Sequence, residues 1–288
     1  MNLVAHNGSL AALLDSWFFS LSISFYLLLT LMALIAIAAY GARQLSLSGA
    51  LAAFLVGFST TWILGFGALF TLLFFFIAAG VLGKLSKRIR GREMETMQAK
   101  GGRRDAMQVF ANGLFALIGA LLYAHRQEPA YLVMFAASVA EAASDTFAGD
   151  VGVLSRRDPV SIITGRPMKR GLSGAVSPLG LASGMLGALL IALTAWALLL
   201  PPVWGSLKEV GVIAAAAFFG CLIDSVLGAT VQAHYWDEER EMLTEHSHKN
   251  GVPLRLERGI RWIDNDMVNL LSNASSSILA CSLLAILT

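Results

Sequence analysis

Eight apolar runs, each near the length a helix needs to cross a hydrocarbon layer, divide this 288-residue chain. They fall at roughly 17–40, 45–63, 65–83, 105–124, 130–150, 174–200, 209–232 and 265–287. In lipid every backbone N–H and C=O must find its partner within the protein, and about 20 apolar residues meet that demand as one spanning helix. Only 14% of the residues are charged, against about 25% in soluble domains. A water-soluble fold is therefore excluded. The sequence predicts an all-α, polytopic transmembrane helical bundle of about eight helices (range six to nine), forming a single integral membrane domain over residues 1–288. No soluble platform is left on which nucleic acid could be held. Cys221 and Cys281 lie in apolar runs without a CxxC pair and read as packing residues.

The charge pattern predicts an orientation. Three loops, 84–104, 155–173 and 233–264, hold all but three of the 21 Lys and Arg residues; the others are Arg43, Arg126 and Lys208. With eight helices these three loops share one side, which the positive-inside rule makes cytoplasmic. Both termini then lie outside, and a bacterial inner membrane is the expected location.

Polar residues recur at the four-residue spacing that stacks side chains on one helix face. Arg104, Gln108 and Asn112 do so in the fourth run, Glu141 and Asp145 in the fifth with Ser138 a turn earlier. Asp224, Gly228 and Gln232 follow in the seventh, and Asn265, Asn269 and Asn273 in the eighth. Asn and Ser at such positions also serve as plain contacts between helices. Carboxylates inside a membrane are costly and mark function more often. Facing one another, these stripes would enclose a polar cavity open to the cytoplasm. Asp150 is out of register with Glu141 and Asp145 by about 140°, so the helix is expected to loosen at Gly149 and let Asp150 swing inward.

Convergent carboxylates suit Mg²⁺, a hard ion that shares its shell with water and phosphate oxygens; a proton or cation pathway would use the same acids. The basic turns favour the first. "KGGRRDA" sets Lys100, Arg103 and Arg104 around two glycines at a helix start, and "TGRPMKRGLSG" repeats the device with Arg166, Lys169 and Arg170. Helix N-termini with cationic side chains attract anions. Together the motifs point to phosphate with a divalent metal. No P-loop is present, and "GLASG" at 180–184 reads as a close-packing face.

The pieces "GGRRDAMQVFANG", "ASDTFAGDVG", "TGRPMKRGLSGAV", "DSVLGATVQ" and "NDMVNLLS" together resemble the membrane family called domain of unknown function 92, which includes transmembrane protein 19 and the phytyl-phosphate kinases. The chain departs from that family's usual pattern at Asp150, Phe147 and Leu172-Ser173. A looser similarity extends to CTP-using membrane enzymes, the phosphatidate cytidylyltransferases and the dolichol and phytol kinases. The resemblance implies phosphoryl transfer from a nucleoside triphosphate, CTP or ATP, to a prenyl monophosphate, a lipid phosphate met within the bilayer. In that scheme Asp145, Asp150 and Asp224 hold Mg²⁺, and Lys100 and Arg104 act on the transferring phosphate. Arg103, Gln108, Asn112, Lys169, Arg170, Ser173, Gln232, Asn265 and Asn269 bind phosphate or substrate, with Glu141 behind them. Two alternatives use the same parts: a cytidylyltransferase making a CDP-lipid, and a transporter or flippase of a phosphorylated lipid or anion.

Overall fold

The computed structural model describes residues 14–16, 18–20, 23–90, 102–200, 207–249 and 251–287. Among these, eight helices of 18 residues or more follow one another: α1 (Ser24–Gly41), α2 (Leu47–Leu64), α3 (Phe66–Arg90), α4 (Ala106–Arg126), α5 (Pro129–Gly152), α6 (Pro178–Leu198), α7 (Leu207–Thr230) and α8 (Asn265–Leu287). All eight expected helices are present, and seven are long and apolar enough to cross a membrane on those grounds alone. The exception is α5, the helix that carries Glu141, Asp145 and Asp150.

Three boundaries and one shape differ from expectation. Helix α3 continues to Arg90, past the end of its apolar run at residue 83, because Lys and Arg propagate a helix readily once it has left the lipid. So the basic residues from Lys84 to Arg90 lie on a helix rather than in a loop. Helix α6 starts at Pro178 instead of 174: Ser177 accepts a hydrogen bond from Gly180 N at 3.1 Å, and Pro178 occupies the first turn, where its missing N–H costs nothing. Helix α1 begins at Ser24, several residues later than its apolar run. Finally, α5 does not loosen at Gly149; it runs unbroken to Gly152.

Helix α5 is the axis of the bundle. It packs against α3, α4, α6, α7 and α8, and every residue from Leu132 to Ser144 is buried. Lipid gives apolar helices no reason to prefer each other, so small residues and close backbone approach must hold them together. The α5–α6 contact shows this. A Cβ at Gly184 would lie 3.1 Å from Ser144 O, and one at Gly187 would lie 3.0 Å from Ala143 O. The expected packing face at 180–184 is thus observed. A helix wrapped on all sides never meets lipid, which lets it carry acids that a peripheral helix could not.

Described residues of the connections α1–α2 (Arg43, Gln44), α3–α4 (Gly102, Arg104), α5–α6 (Val153, Arg170) and α7–α8 (Glu245, Asp264) gather at one end of the bundle, around two adjoining cavities. Leu45 pairs with Arg104 in an isolated parallel bridge, with Arg104 N donating to Gln44 O and Ser46 N to Arg104 O, both at 2.9 Å. After α5, strands β1 (Val160–Ser161) and β2 (Ala175–Val176) pair antiparallel. After α7 the chain forms β3 (His234–Asp237), β4 (Met242–Thr244), β5 (His248–Lys249), β6 (Val252–Pro253) and β7 (Arg255–Arg258). The order β4-β3-β7 makes a small antiparallel sheet, and β5 pairs with β6. Lys249 Nζ clamps this flap, 2.8 Å from Asp237 Oδ1 and 2.7 Å from Glu239 Oε2.

Candidate functional site

Two polar cavities open at this end and adjoin at Asp145. The larger, about 370 Å³, lies between α3, α4, α5 and α8 and is lined by Lys84, Lys87, Arg104, Gln108, Asn112, Asp145, Asp150, Asn265 and Asn269. The smaller, about 150 Å³, lies between the ends of α5, α6 and α7 under the turn 170–177; Asp145, Asp224, Arg170, Ser173 and Asn265 line it. Asp145 and Asn265 belong to both.

Each wall has a local cause. Asp105 caps α4, accepting from Gln108 N at 3.0 Å, while Gln108 Oε1 accepts from Asp105 N at 3.2 Å. This reciprocal cap fixes the first turn of α4 and so the face that carries Arg104, Gln108 and Asn112. The main chain of Arg104 is pinned by residues 44 and 46, and its guanidinium feels the carboxylates of Asp150 and Asp145. Asp150 reaches the larger cavity from an unbroken helix because α3 approaches at Gly83, where a Cβ would lie 3.4 Å from Asp150 Oδ2. In the smaller cavity Gly174 has φ +86, and a Cβ there would stand 2.5 Å from Ala229 Cβ. Only glycine lets the turn lie this close to α7.

The structure separates the predicted residues. Asp145, Asp150, Arg104, Gln108, Asn112, Asn265 and Asn269 come together in the larger cavity, and Asp224, Arg170 and Ser173 join Asp145 in the smaller. Gln232 is buried beneath the flap, its Nε2 donating to Glu245 Oε1 at 3.0 Å. Arg103 and Lys169 are exposed and line neither cavity; the Arg103 guanidinium sits 5.4 Å from the Tyr40 ring centre. Lys100 lies outside the described residues. Arg170 is largely occupied: it donates to the carbonyls of Val153, Ser155 and Arg156 and to Asp158 at 2.9 Å, so it closes the end of α5 as much as it faces the cavity.

Glu141 is in neither cavity. Its Oε1 accepts from Ser272 Oγ and its Oε2 from Asn273 Nδ2, both at 2.8 Å, and Asn273 also accepts from Ser138 Oγ at 2.7 Å. This closed network pins α5 to α8. Asp224 is different, because its Oδ2 is buried with no hydrogen-bond partner.

Sequence reasoning missed Glu245, Asp264, Asp266 and Lys87, which also line the larger cavity. Glu245 accepts from Ser173 as well as Gln232 and so ties the flap to the glycine turn. It sits in a charged loop without helical period, where no pattern marks it. Asp264 and Asp266 flank the Asn265 already singled out.

The fit to a divalent metal follows from these contacts. No group of three His, Cys, Asp or Glu side chains stands close enough to form a metal cage among the described residues, so Asp145, Asp150 and Asp224 do not make one. Mg²⁺ seldom needs such a cage; one or two carboxylates with water and substrate phosphates suffice. Asp145 and the unmatched oxygen of Asp224, sharing a cavity wall with Asn265, suit that mode.

Comparison with known proteins places the chain in a family. Residues 30–277 match the family described as integral membrane protein DUF92, and the chain belongs to it. It is 32% identical over 208 residues to an "Uncharacterized membrane protein" of Methanocaldococcus jannaschii, covering 72% of this chain and 80% of that one. It is 29% identical to "Protein PGR" of Arabidopsis thaliana over 275 residues, 85% of this chain and 91% of the relative. "Protein VTE6, chloroplastic" of the same plant is 25% identical over 82% of this chain and 64% of its own length. No solved structure matches.

Proposed function

We propose that the protein is a membrane phosphotransferase, a CTP- or ATP-dependent kinase of a prenyl monophosphate, working with Mg²⁺ at the cytoplasmic face of a bacterial inner membrane. One observation carries the reading: two cavities, one holding both cations and acids and the other an unmatched carboxylate oxygen under a glycine turn, meet at Asp145. A cation pathway has no use for Lys84, Lys87 and Arg104 along its wall; a metal-bound polyphosphate needs both signs. The family resemblance supplies the substrate class.

In this scheme an oxygen of the lipid phosphate attacks the γ-phosphorus of the nucleotide, and the bond from γ-phosphorus to the β-bridging oxygen breaks. The nucleoside diphosphate leaves with the charge. The attacking phosphate is already ionised, so no strong base is required. Arg104 and Lys87 offset charge on the phosphoryl oxygens, and Asn265 and Asn269 orient them. Such catalysis is chiefly positioning and electrostatics. Asp145 and Asp224 are the residues that would hold Mg²⁺, whose contribution is to neutralise adjoining phosphate oxygens. Glu245 would hold the flap over the nucleotide. The unbroken course of α5 speaks against transport, for which discontinuous helices are the usual cue.

The test uses purified protein in nanodiscs with Mg²⁺, prenyl monophosphates and γ-labelled CTP or ATP. Label in a lipid diphosphate is the expected result. Label released as pyrophosphate, with a CDP-lipid product, would make the protein a cytidylyltransferase instead. No nucleotide-dependent product under any pairing would end the enzymatic reading.

A further inference from the structure

A third cavity lies beside the polar pair and has the opposite character. It is a cleft of about 140 Å³ between α1, α2, α3 and α4, walled almost wholly by apolar side chains such as Met32, Phe54, Leu72 and Phe76. It is not separate from the polar region. Phe76, Arg104, Gln108 and Asn112 line both this cleft and the larger polar cavity. Arg104 marks the junction: its guanidinium lies 5.8 Å from the Phe75 ring centre on the apolar side, and it feels Asp145 and Asp150 on the other.

Two glycines create the room. A Cβ at Gly57 would meet nothing nearer than Met32 Sδ at 3.5 Å, and one at Gly113 would meet Val56 at 3.4 Å. A Cβ at either would make an ordinary van der Waals contact rather than a clash, and both glycines line the cleft, so a larger side chain at either position would take up its volume. An apolar cleft that ends on a cation and two amides has the polarity of a single amphiphile, with an anionic head on one side of Arg104 and hydrocarbon on the other.

From this continuity we infer that the cleft seats the hydrocarbon tail of the phosphorylated lipid, and that Gly57 and Gly113 set the length and bulk of the tail accepted. The inference rests on the phosphotransferase reading for the identity of the head group, but not for the seat itself. A bulk bilayer lipid could enter any groove between helices. The substrate's own tail is favoured because the cleft leads to Arg104, not away from it.

Two measurements on full-length protein in nanodiscs test it. The first is photo-crosslinking with a long-chain alkyl phosphate carrying a terminal diazirine, mapped by peptide sequencing. The second is kcat/KM for a five-carbon and a twenty-carbon prenyl monophosphate. The variants are Gly57→Phe, Ala53→Phe as a second filler should the first fold poorly, and Gly57→Ala as the smaller step between wild type and the full fillers. One methylene in an apolar pocket is worth about tenfold or more in discrimination. Filling the cleft should therefore lower the twenty-carbon kcat/KM by about tenfold or more and leave the five-carbon value unchanged. Crosslinks to α2, α3 and α4 should disappear with it. Equal losses on both substrates, or wild-type crosslinks that map elsewhere, would overturn the tail site. Crosslinks that map to the cleft and vanish in Gly57→Phe, in a protein that transfers no phosphate, would keep the tail site and remove the kinase reading.

Discussion

Glu141 and Asp145 stand one turn apart on the same face of α5, yet their surroundings divide the helix into a closed region and an open one. Around Glu141 every carboxylate oxygen has a donor, supplied by Ser272 and Asn273. Around Asp145 the neighbours are two cavities, a second acid with an unmatched oxygen, and the cation of Arg104. A buried acid whose oxygens are both occupied can fasten two helices but has nothing left to offer a ligand. A half-buried acid beside open polar space serves the reverse role.

The sharpest way to break this division is Asp145→Asn. Turnover should fall by about a thousandfold, the scale seen when one electrostatic contributor is removed, while the thermal midpoint in detergent stays near that of the wild type. Asp224→Asn should follow at about a hundredfold. Full activity in either variant would dissolve the contrast. In the closed region the order reverses. Glutamine at position 141 has one acceptor oxygen for two donors, so Glu141→Gln should cost about 1–3 kcal/mol of stability, read as a lowered unfolding midpoint. Activity per folded molecule should stay within about threefold, since no transition-state contact is lost. Gly220→Ala attacks the same layer sterically, because its Cβ would lie 2.6 Å from Glu141 Cγ and 2.8 Å from Ser276 Cβ. It should lower the midpoint further than Glu141→Gln and also spare the chemistry.

The smallest effect belongs to the flap. Lys249, through its hydrogen bond above all, holds the Asp237 carboxyl below the usual carboxylate range. A depressed carboxylate stabilises the folded state above its unfolded value, about pH 4, and loses that contribution as the pH falls through the lowered folded value. Lys249→Met should therefore speed amide exchange in strands β3 and β4 by a few-fold at pH 7. The difference from wild type should close as the pH falls through the lowered folded value. A difference that persists in acid would mean the pair does not clamp the flap.

Seven of the eight helices were legible in the sequence because lipid imposes one demand, a long apolar run; α5 falls short of it because of its acids and was read from the apolar stretch that precedes them. The stripes of α4 and α8 correctly gave a face: Gln108, Asn112, Asn265 and Asn269 share a cavity. They did not give depth. Asn273 continues the same stripe as Asn265 and Asn269 but lies among Ser138 and Glu141, where it fastens helices. Four-residue spacing fixes an angle around the axis and nothing else. Helix straightness was also unreadable, because whether Gly149 loosens α5 depends on how closely α3 and α6 pack there. The flap and Glu245 left no trace, since short strands in a charged loop carry no sustained alternation. The apolar cleft was hidden for another reason: Gly57 and Gly113 line it, and no sequence period marks a glycine that borders a cavity.

The two hydrogen bonds that hold the Arg104 main chain to residues 44 and 46 tie the first three helices to the last five through a seam that no covalent link is needed to form. The cation's backbone thus takes its place from the turn after α1, about 60 residues away in sequence. A gene split before Gly102 would thus encode two fragments, each carrying one half of that seam. Co-expressed in one membrane, they would have a template on which to find each other and restore the guanidinium to its place.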